Sequence, residues 1–218
     1  FLGFYIVRED LRGRGYGLQI WNAACAHADT RSIGLDGVVA QQDKYRRSGF
    51  QLAYPNLRYG GRAIVEGGAR EGTIPTTAVP FPAMEASDAT VFPAPRPGFL
   101  RHWLAAPGHE GRAVVRDGVL AGWGVIRPAR TGFKIGPLVA LDRRAAESVL
   151  TALVATCGDA DLFLDVPSVN HDAIALAEGI GLSPVFETAR MYKGPVPSRR
   201  IDHVFGVMGN GNAYFLDA

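Results

Sequence analysis

YIVREDLRGRGYGLQIW, residues 5–21, decides how this chain is read. An apolar stretch ending at Val7 meets an apolar helix pattern that starts at Tyr16. Between them stand three arginines (Arg8, Arg12, Arg14) and three glycines, Gly13, Gly15 and the helix-entry Gly17. A helix entered through such a loop offers backbone N–H groups with no partner inside the helix, and the missing side chains let a bulky anion approach them. Each hydrogen bond to a charged oxygen contributes about 1.5–3 kcal/mol, so three or four would anchor a pyrophosphate without a lysine. The bland alternative is a tight strand-to-helix turn that binds nothing. A Walker loop would end in Gly-Lys-Ser/Thr, which is absent, and a dinucleotide fingerprint would need its third glycine where Leu18 stands.

Working outward, residues 1–7 read as a buried strand, because they are apolar, aromatic and β-branched. Leu18, Trp21, Cys25 and Ala28, widened by Ile20 and Ala24, recur at helical spacing over residues 16–28. Residues 32–39 read as a strand, 41–47 as a short helix stopped by Gly49, and 50–54 as a strand, with a further extended piece over 62–65. Between residues 67 and 97 lie Pro75, Pro80, Pro82, Pro93, Pro95 and Pro97, and a domain boundary is expected over 67–77. Beyond it the pattern predicts a helix over 99–105, strands over 112–116 and 120–126 joined by Asp117-Gly118, and a strand over 133–140. Asp142 then caps a helix whose apolar face is Ala146, Val149, Leu150, Leu153, Val154 and Cys157. A strand over 161–166, a short helix from Asn170 to about 179–181 and a final strand pair over 185–192 and 204–208 complete the chain; the tail GNGNAYFLDA reads as loop and terminal strand. The order strand, helix, strand, short helix, Gly-apolar, strand thus occurs twice, from residue 1 and from about residue 133, which points to internal duplication. The fold class is α/β, with a mixed sheet.

The loop resembles motif A of the GNAT superfamily of N-acetyltransferases, an Arg or Gln followed by x-x-Gly-x-Gly/Ala five residues after a strand valine. Val7 is that valine, Arg12 the Arg/Gln, and Gly15 and Gly17 complete it. A second signature of that family, a tyrosine four residues before Gly-Phe, is Tyr45 before Gly49-Phe50; the asparagine often found seven residues ahead of the tyrosine is Val38 here. The resemblance implies a sheet whose splayed central strands admit acetyl-CoA. The pantetheine would pair with backbone near Ile6 and Val7, the pyrophosphate would rest on Arg12, Gly13, Arg14, Gly15, Tyr16 and Gly17, and Tyr45 would lie near the thioester sulfur. The family has no universal catalytic base, so only Tyr45 carries over as a catalytic residue. In the second copy the pattern runs Asn170, Ala173, Ala177, Gly181-Leu182, with Ala177 in place of the tyrosine, and the loop counterpart LVALDRRAAESVL has no glycine. The chain therefore resembles tandem acetyltransferases that pair a catalytic domain with a degenerate second one: residues 1–70 as the C-terminal half of the first domain, whose earlier strands are expected to precede residue 1, and 71–218 as the second.

What this implies is transfer of the acetyl group of acetyl-CoA, as cosubstrate, to a primary amine of a small-molecule or peptide acceptor. The reading from a different class is a non-catalytic sensor that binds acetyl-CoA or CoA. Tyr45 has a bland alternative too, packing under the Gly-Phe corner. A phenol near pKa 10 is a weaker acid than a thiol near 8.5, so full proton transfer costs about 2 kcal/mol without tuning; Arg46 and Arg47 either supply that tuning or sit in solvent. Composition is that of an ordinary globular protein. In 218 residues, 47% are hydrophobic and 20% charged, the formal net charge is +2, and the arginines are scattered, which argues against nucleic acid as partner. Two cysteines at apolar positions read as free thiols of a cytoplasmic protein, no metal-ligand cluster stands out, and no apolar run is long enough for a membrane span. The five histidines are isolated, and Trp103 and Trp123 read as core.

Overall fold

The computed structural model describes residues 1–3, 6–65, 67–69 and 71–208. Among these the strands are β1 (Ile33–Val38), β2 (Gln51–Arg62), β3 (Ile74–Pro75), β4 (Glu110–Arg116), β5 (Val119–Pro128), β6 (Phe133–Ala140), β7 (Asp161–Pro167), β8 (Ser183–Lys193) and β9 (Val204–Gly206). The helices are α1 (Tyr16–Ala28), α2 (Gln42–Arg47), α3 (Phe81–Val91), α4 (Pro97–Ala105), α5 (Arg143–Val154) and α6 (His171–Gly179). The strands form one mixed sheet in the order β1-β8-β2-β7-β6-β5-β4-β3, with β9 on β6. The chain divides into two compact units, residues 1–55 with 188–197, and residues 56–187 with the chain from 198 on.

In the first unit β1 pairs antiparallel with the second half of β8, from Ile33↔Lys193 to Val38↔Thr188. Trp21, Ile33, Leu35, Phe50, Ala189 and Met191 form its core, and Cys25, Ala28 and Tyr45 pack against it. The spacing of Trp21, Cys25 and Ala28 places one stripe of α1 on this core, while Leu18 and Ile20 face solvent. Gly49, at φ 87°, ends α2 with a left-handed residue that lets the chain turn into β2.

In the second unit β2, β7, β6, β5 and β4 pair through antiparallel ladders, except for a parallel β6·β7 pair. Alternation assigns the two faces. Ala121, Ile126, Ile135, Leu138 and Ala140 pack with α5 and α6, whereas Trp123, Val125 and Val139 pack with Met84 of α3 and Leu100 of α4. Asp142 and Asn170 cap α5 and α6 as their positions predict, accepting from the amides of Ala145 (2.9 Å) and Ala173 (3.1 Å). Asp117 and Gly118 both take positive φ, which closes the β4–β5 hairpin with a turn that suits strand twist.

Three expectations need correction. None of the described residues of 1–7 forms a strand; the Leu2 amide donates to the Gly34 carbonyl (2.7 Å), too short a pairing to make a ladder. The proline-rich stretch, read from sequence only as the surroundings of a domain boundary, holds a helix, since α3 starts at Phe81 with Pro82 in its first turn, where a missing N–H costs nothing. The strand over 204–206 does not pair with β8 but with β6 (Leu138↔Gly206, Val139↔Val204). The tail GNGNAYFLDA lies outside the described residues.

Each unit is fastened by the same ion pair. In β2·β7, Arg58 stands opposite Asp165 and chelates it through Nε (2.7 Å) and Nη2 (3.0 Å). In β1·β8, Arg190 stands opposite Asp36 and chelates it likewise, Nη2 at 2.7 Å from Oδ2. Around Arg190 lie the Tyr54 and Phe1 rings; around Arg58 lies Phe186. Lys134 adds a second cation to Asp165, Nζ at 2.6 Å from Oδ2. Burial alone would push the Asp165 carboxyl up, but Arg58 and Lys134 outweigh it and hold it below its usual range.

Removing a carboxylate strands its buried cations, so Asp36→Asn and Asp165→Asn should each lower the free energy of urea unfolding by about 3–5 kcal/mol; a loss under about 1 kcal/mol in both would show that the pairs are incidental. Because the native Asp165 pKa lies below the unfolded value near 3.9, its contribution is complete above that value and lost as pH falls through the native one. Wild type should therefore lose more stability on acidification than Asp165→Asn, read from urea midpoints between pH 7 and pH 3.

Candidate active site

The glycine loop is built by backbone conformation. Glu9–Leu11 make one 3-10 turn, after which Gly13 (φ 76°) and Gly15 (φ 82°) both take left-handed backbone. A Cβ at either would meet nothing within 4 Å, so glycine is required there by φ and the space above the loop is open. Gly15 is the N-cap of α1 and no side chain caps the helix, which leaves its first amides directed at that space. The Arg12 Nε donates to the Val7 carbonyl (3.2 Å), so this arginine ties the loop to the segment before it. Ile6, Arg12, Gly13, Arg14, Gly15 and Tyr16 are exposed, while Val7 and Gly17 are half-buried, Gly17 within the first turn of α1.

Tyr45 sits on α2 with its ring against the backbone of Gly37 in β1 and stacked on Trp21 of α1, centroids 5.7 Å apart. Trp21 in turn packs on Phe50 at 5.5 Å. The ring is thus part of the core of the first unit, and the packing role weighed from sequence is real, whatever the hydroxyl does. Arg46 is not aimed at the phenol: it bonds Asp43 (2.9 Å) and Gln42 (3.1 Å) on its own helix. The structure brings the loop residues together at the start of α1 and places Tyr45 against that helix through Trp21.

The α5 entrance in the second unit is occupied by side chains of the protein itself. The α5 N-terminus carries its own carboxylate, Asp142, which Arg116 also binds (2.8 Å) and thereby holds below the usual carboxyl range. Glu71 adds a further carboxylate, bridging Arg116 (3.0 Å) and Arg144 (3.1 Å). β6 and β7 stay paired only from Phe133↔Leu162 to Ile135↔Leu164. Beyond that point β9 lies on β6, and the Val207 amide donates to the Asp165 carbonyl (2.7 Å). Gly206 fits because a Cβ would come within 2.9 Å of both Leu164 and Leu138 side chains. Ala177 is fully buried on α6.

Sequence reading missed the polar row across the sheet: Arg58, Asp165 and Lys134, with Arg127 opposite Lys134 in the β5·β6 register. A signal was present, since Asp165 and Lys134 each interrupt an otherwise apolar strand. Burial pushes the His109 imidazole below its usual pKa, against its hydrogen bond to the Trp103 carbonyl (2.8 Å). A carbonyl only accepts, so Nδ1 carries the proton. No cluster of His, Cys, Asp and Glu among the described residues could hold a metal, and no described helix is long and apolar enough to cross a membrane.

The first unit thus presents an open helix start that no side chain caps, an arrangement able to take an anion on its backbone amides. Residues 84–206 match the model of the acetyltransferase (GNAT) domain. The chain is 30% identical over 199 residues to a holothin acyltransferase of Pseudoalteromonas sp. (strain SANK 73390), an overlap of 90% of this chain and 67% of that protein. Its fold is similar to that of a candidate acetyltransferase from Pyrococcus horikoshii (TM-score 0.78, 23% identity, 94% of this chain and 69% of that one). It is also similar to a tandem GNAT protein from the clavulanic acid biosynthesis pathway (TM-score 0.57, 16% identity, 88% and 74%). The chain belongs to the GNAT acetyltransferase family and is an acyltransferase. The family match covers the second half of the chain, whereas the loop and tyrosine signatures lie in the first.

A Cβ on Gly37 would overlap the Tyr45 ring, so Gly37→Ala should force the tyrosine off its seat and cost about 1–3 kcal/mol, as overpacking does. Urea unfolding followed by Trp21 fluorescence in a Trp103→Phe/Trp123→Phe background checks this; an unchanged midpoint would mean the ring is not confined.

Proposed function

We propose that this chain transfers the acetyl group of acetyl-CoA to a primary amine, using the loop of the first unit. The observation that carries this reading is the α1 entrance: two left-handed glycines with open space above them and a helix start that no side chain caps. Amides from Arg12 to Gly17 hold the pyrophosphate, Arg12 and Arg14 add charge at the rim, and the backbone at Ile6 and Val7 runs beside the pantetheine. The amine nitrogen attacks the thioester carbonyl, which a backbone N–H near Val7 polarises; the C–N bond forms as C–S breaks, the nitrogen gives its surplus proton to water, and the departing sulfur takes one from the Tyr45 hydroxyl or from water, any phenolate being reprotonated from solvent. A relative named for acylating holothin supports a small-molecule acceptor.

The second copy, on this reading, has kept the fold and lost the coenzyme. Asp142 and Glu71 put negative charge where a pyrophosphate would sit, and β9 with Val207 fills the gap between β6 and β7. Duplication is supported by spacing. Gly49 and Gly181, Arg58 and Arg190, and the unit limits after Pro55 and Glu187 are each 132 positions apart. The pairs β1·β8 and β7·β2 are then equivalent: each copy's body is completed by the last strand of the other. The boundary over 67–77, with residues 1–70 and 71–218 as the two copies, fits this lineage.

Thiol release from acetyl-CoA across a panel of small amines tests the proposal. Gly15→Ala, which forces a side chain into left-handed backbone, should weaken acetyl-CoA binding at least tenfold. Tyr45→Phe should lower turnover at least tenfold with binding little changed. Acetyl-CoA bound at one equivalent with undiminished affinity in Gly15→Ala would remove the loop from the site, and wild-type turnover in Tyr45→Phe would leave the tyrosine only its packing role.

A further inference from the structure

We propose that the sheet face of the second unit bearing Arg127 binds a small oxyanion, the carboxylate or phosphate end of a small molecule. Three cations share this face with one carboxylate. Asp165 is saturated, Oδ1 by Arg58 Nε and Oδ2 by Arg58 Nη2 and Lys134 Nζ. Arg127 stands across the ladder from Lys134 and makes no ion pair among the described residues. Its contacts are weak for a guanidinium: one bond from Nη1 to the Pro128 carbonyl (3.3 Å), and the Trp103 ring 5.6 Å away. It is half-buried; burial disfavours its charge most, Asp165 partly offsets that, and the neighbouring Arg58 adds to it, the balance lying below the usual guanidinium range.

The first unit shows that this excess is not needed to hold a strand. There the equivalent pair is one cation on one carboxylate, Arg190 on Asp36, with the hydroxyls of Tyr54 (3.4 Å) and Tyr192 (3.5 Å) beside it. Phe186 replaces Tyr54 at the equivalent position in the second unit, and Lys134 and Arg127 are added. Uncompensated charge on a half-buried face is unfavourable unless a counter-charge completes it. A planar oxyanion suits the fork of Arg127, whose remaining N–H groups can donate to two oxygens side by side.

A second observation comes from the same cluster. The Trp103 indole N–H is buried without any acceptor, an unusual state for a strong donor. Its ring is pinned edge-on to His109 (centroids 4.6 Å apart), whose Nδ1–H holds the Trp103 carbonyl. Because burial keeps His109 neutral near pH 7, it positions Trp103 without adding charge. Arg127, whose one hydrogen bond is the long one to Pro128, and the indole, which has no acceptor, are thus a charged and a neutral donor in one cluster. The site lies wholly within the second unit and does not depend on where coenzyme binds.

The test uses the whole chain in low-chloride buffer at pH 7, titrated with succinate, inorganic phosphate and neutral succinamide, without acetyl-CoA. Thermal midpoint and the Trp103 indole 1H–15N signal, assigned with Trp103→Phe, are the readouts. Succinate or phosphate should raise the midpoint saturably and move that indole signal, while succinamide does neither. Arg127→Gln should weaken the response at least tenfold with unchanged circular dichroism, and Arg127→Lys should keep part of it. A preference for succinate assigns the site to carboxylates, and one for phosphate to phosphate esters. An equal response in Arg127→Gln, an indole signal that stays still, or succinamide acting as well as succinate would each overturn the proposal.

Discussion

The guanidinium–carboxylate chelate across neighbouring strands is the interaction on which both units rest. Arg190 on Asp36 joins β8 to β1, and Arg58 on Asp165 joins β2 to β7. Antiparallel register alone is poorly specified when strands are short, because a slip by one residue exchanges their faces. A buried chelate removes that freedom, since any slip would leave two charges unpaired in an apolar setting. Register in turn fixes which side chains of β1 face α1 and α2. Leu35 and Gly37 therefore turn toward Trp21 and Tyr45, and Asp36 turns away toward Arg190.

Chemistry is divided unequally between helix entrances that share an ancestry in the proposed duplication. At α1, Gly15 in left-handed backbone leaves the entrance without a side chain of its own. At α5, Asp142 supplies that helix with an internal anion and Arg116 and Glu71 wire it into the surroundings. The difference is a matter of self-sufficiency. A capped helix gains stability from its own residues, typically about 1 kcal/mol. An uncapped one stays ready for a partner from solution.

Much of this was legible in the sequence because it rests on local chemistry. Asp142 and Asn170 marked helix starts, Gly49 marked a helix end, and Asp117-Gly118 marked a hairpin. Each of these acts within four residues of itself. The GNAT resemblance was carried by Arg12, Gly15, Gly17, Tyr45, Gly49 and Phe50 together. What escaped was long-range or ambiguous. Pro80 and Pro82 look like linker residues until Met84 and Leu100 are seen packed on Trp123 and Val125. No periodicity announces that β9 seeks β6 and not β8, since a three-residue apolar strand fits any edge. The packing of Tyr45 on Gly37 joins α2 to a strand that precedes it, and only the assembled unit shows it.

Completion of the first unit by residues 188–197 sets the order in which the chain can mature. The Arg190–Asp36 contact spans 154 positions, so the first unit stays unfinished while residues 56–187 of the second are being synthesised. Contacts of such separation close slowly, because loop entropy is lost before they form. During that interval the edge of β1 and the apolar residues beneath α1 are uncovered, the kind of surface through which incomplete chains associate. The first unit therefore closes around a strand that arrives more than a hundred residues after its own β1.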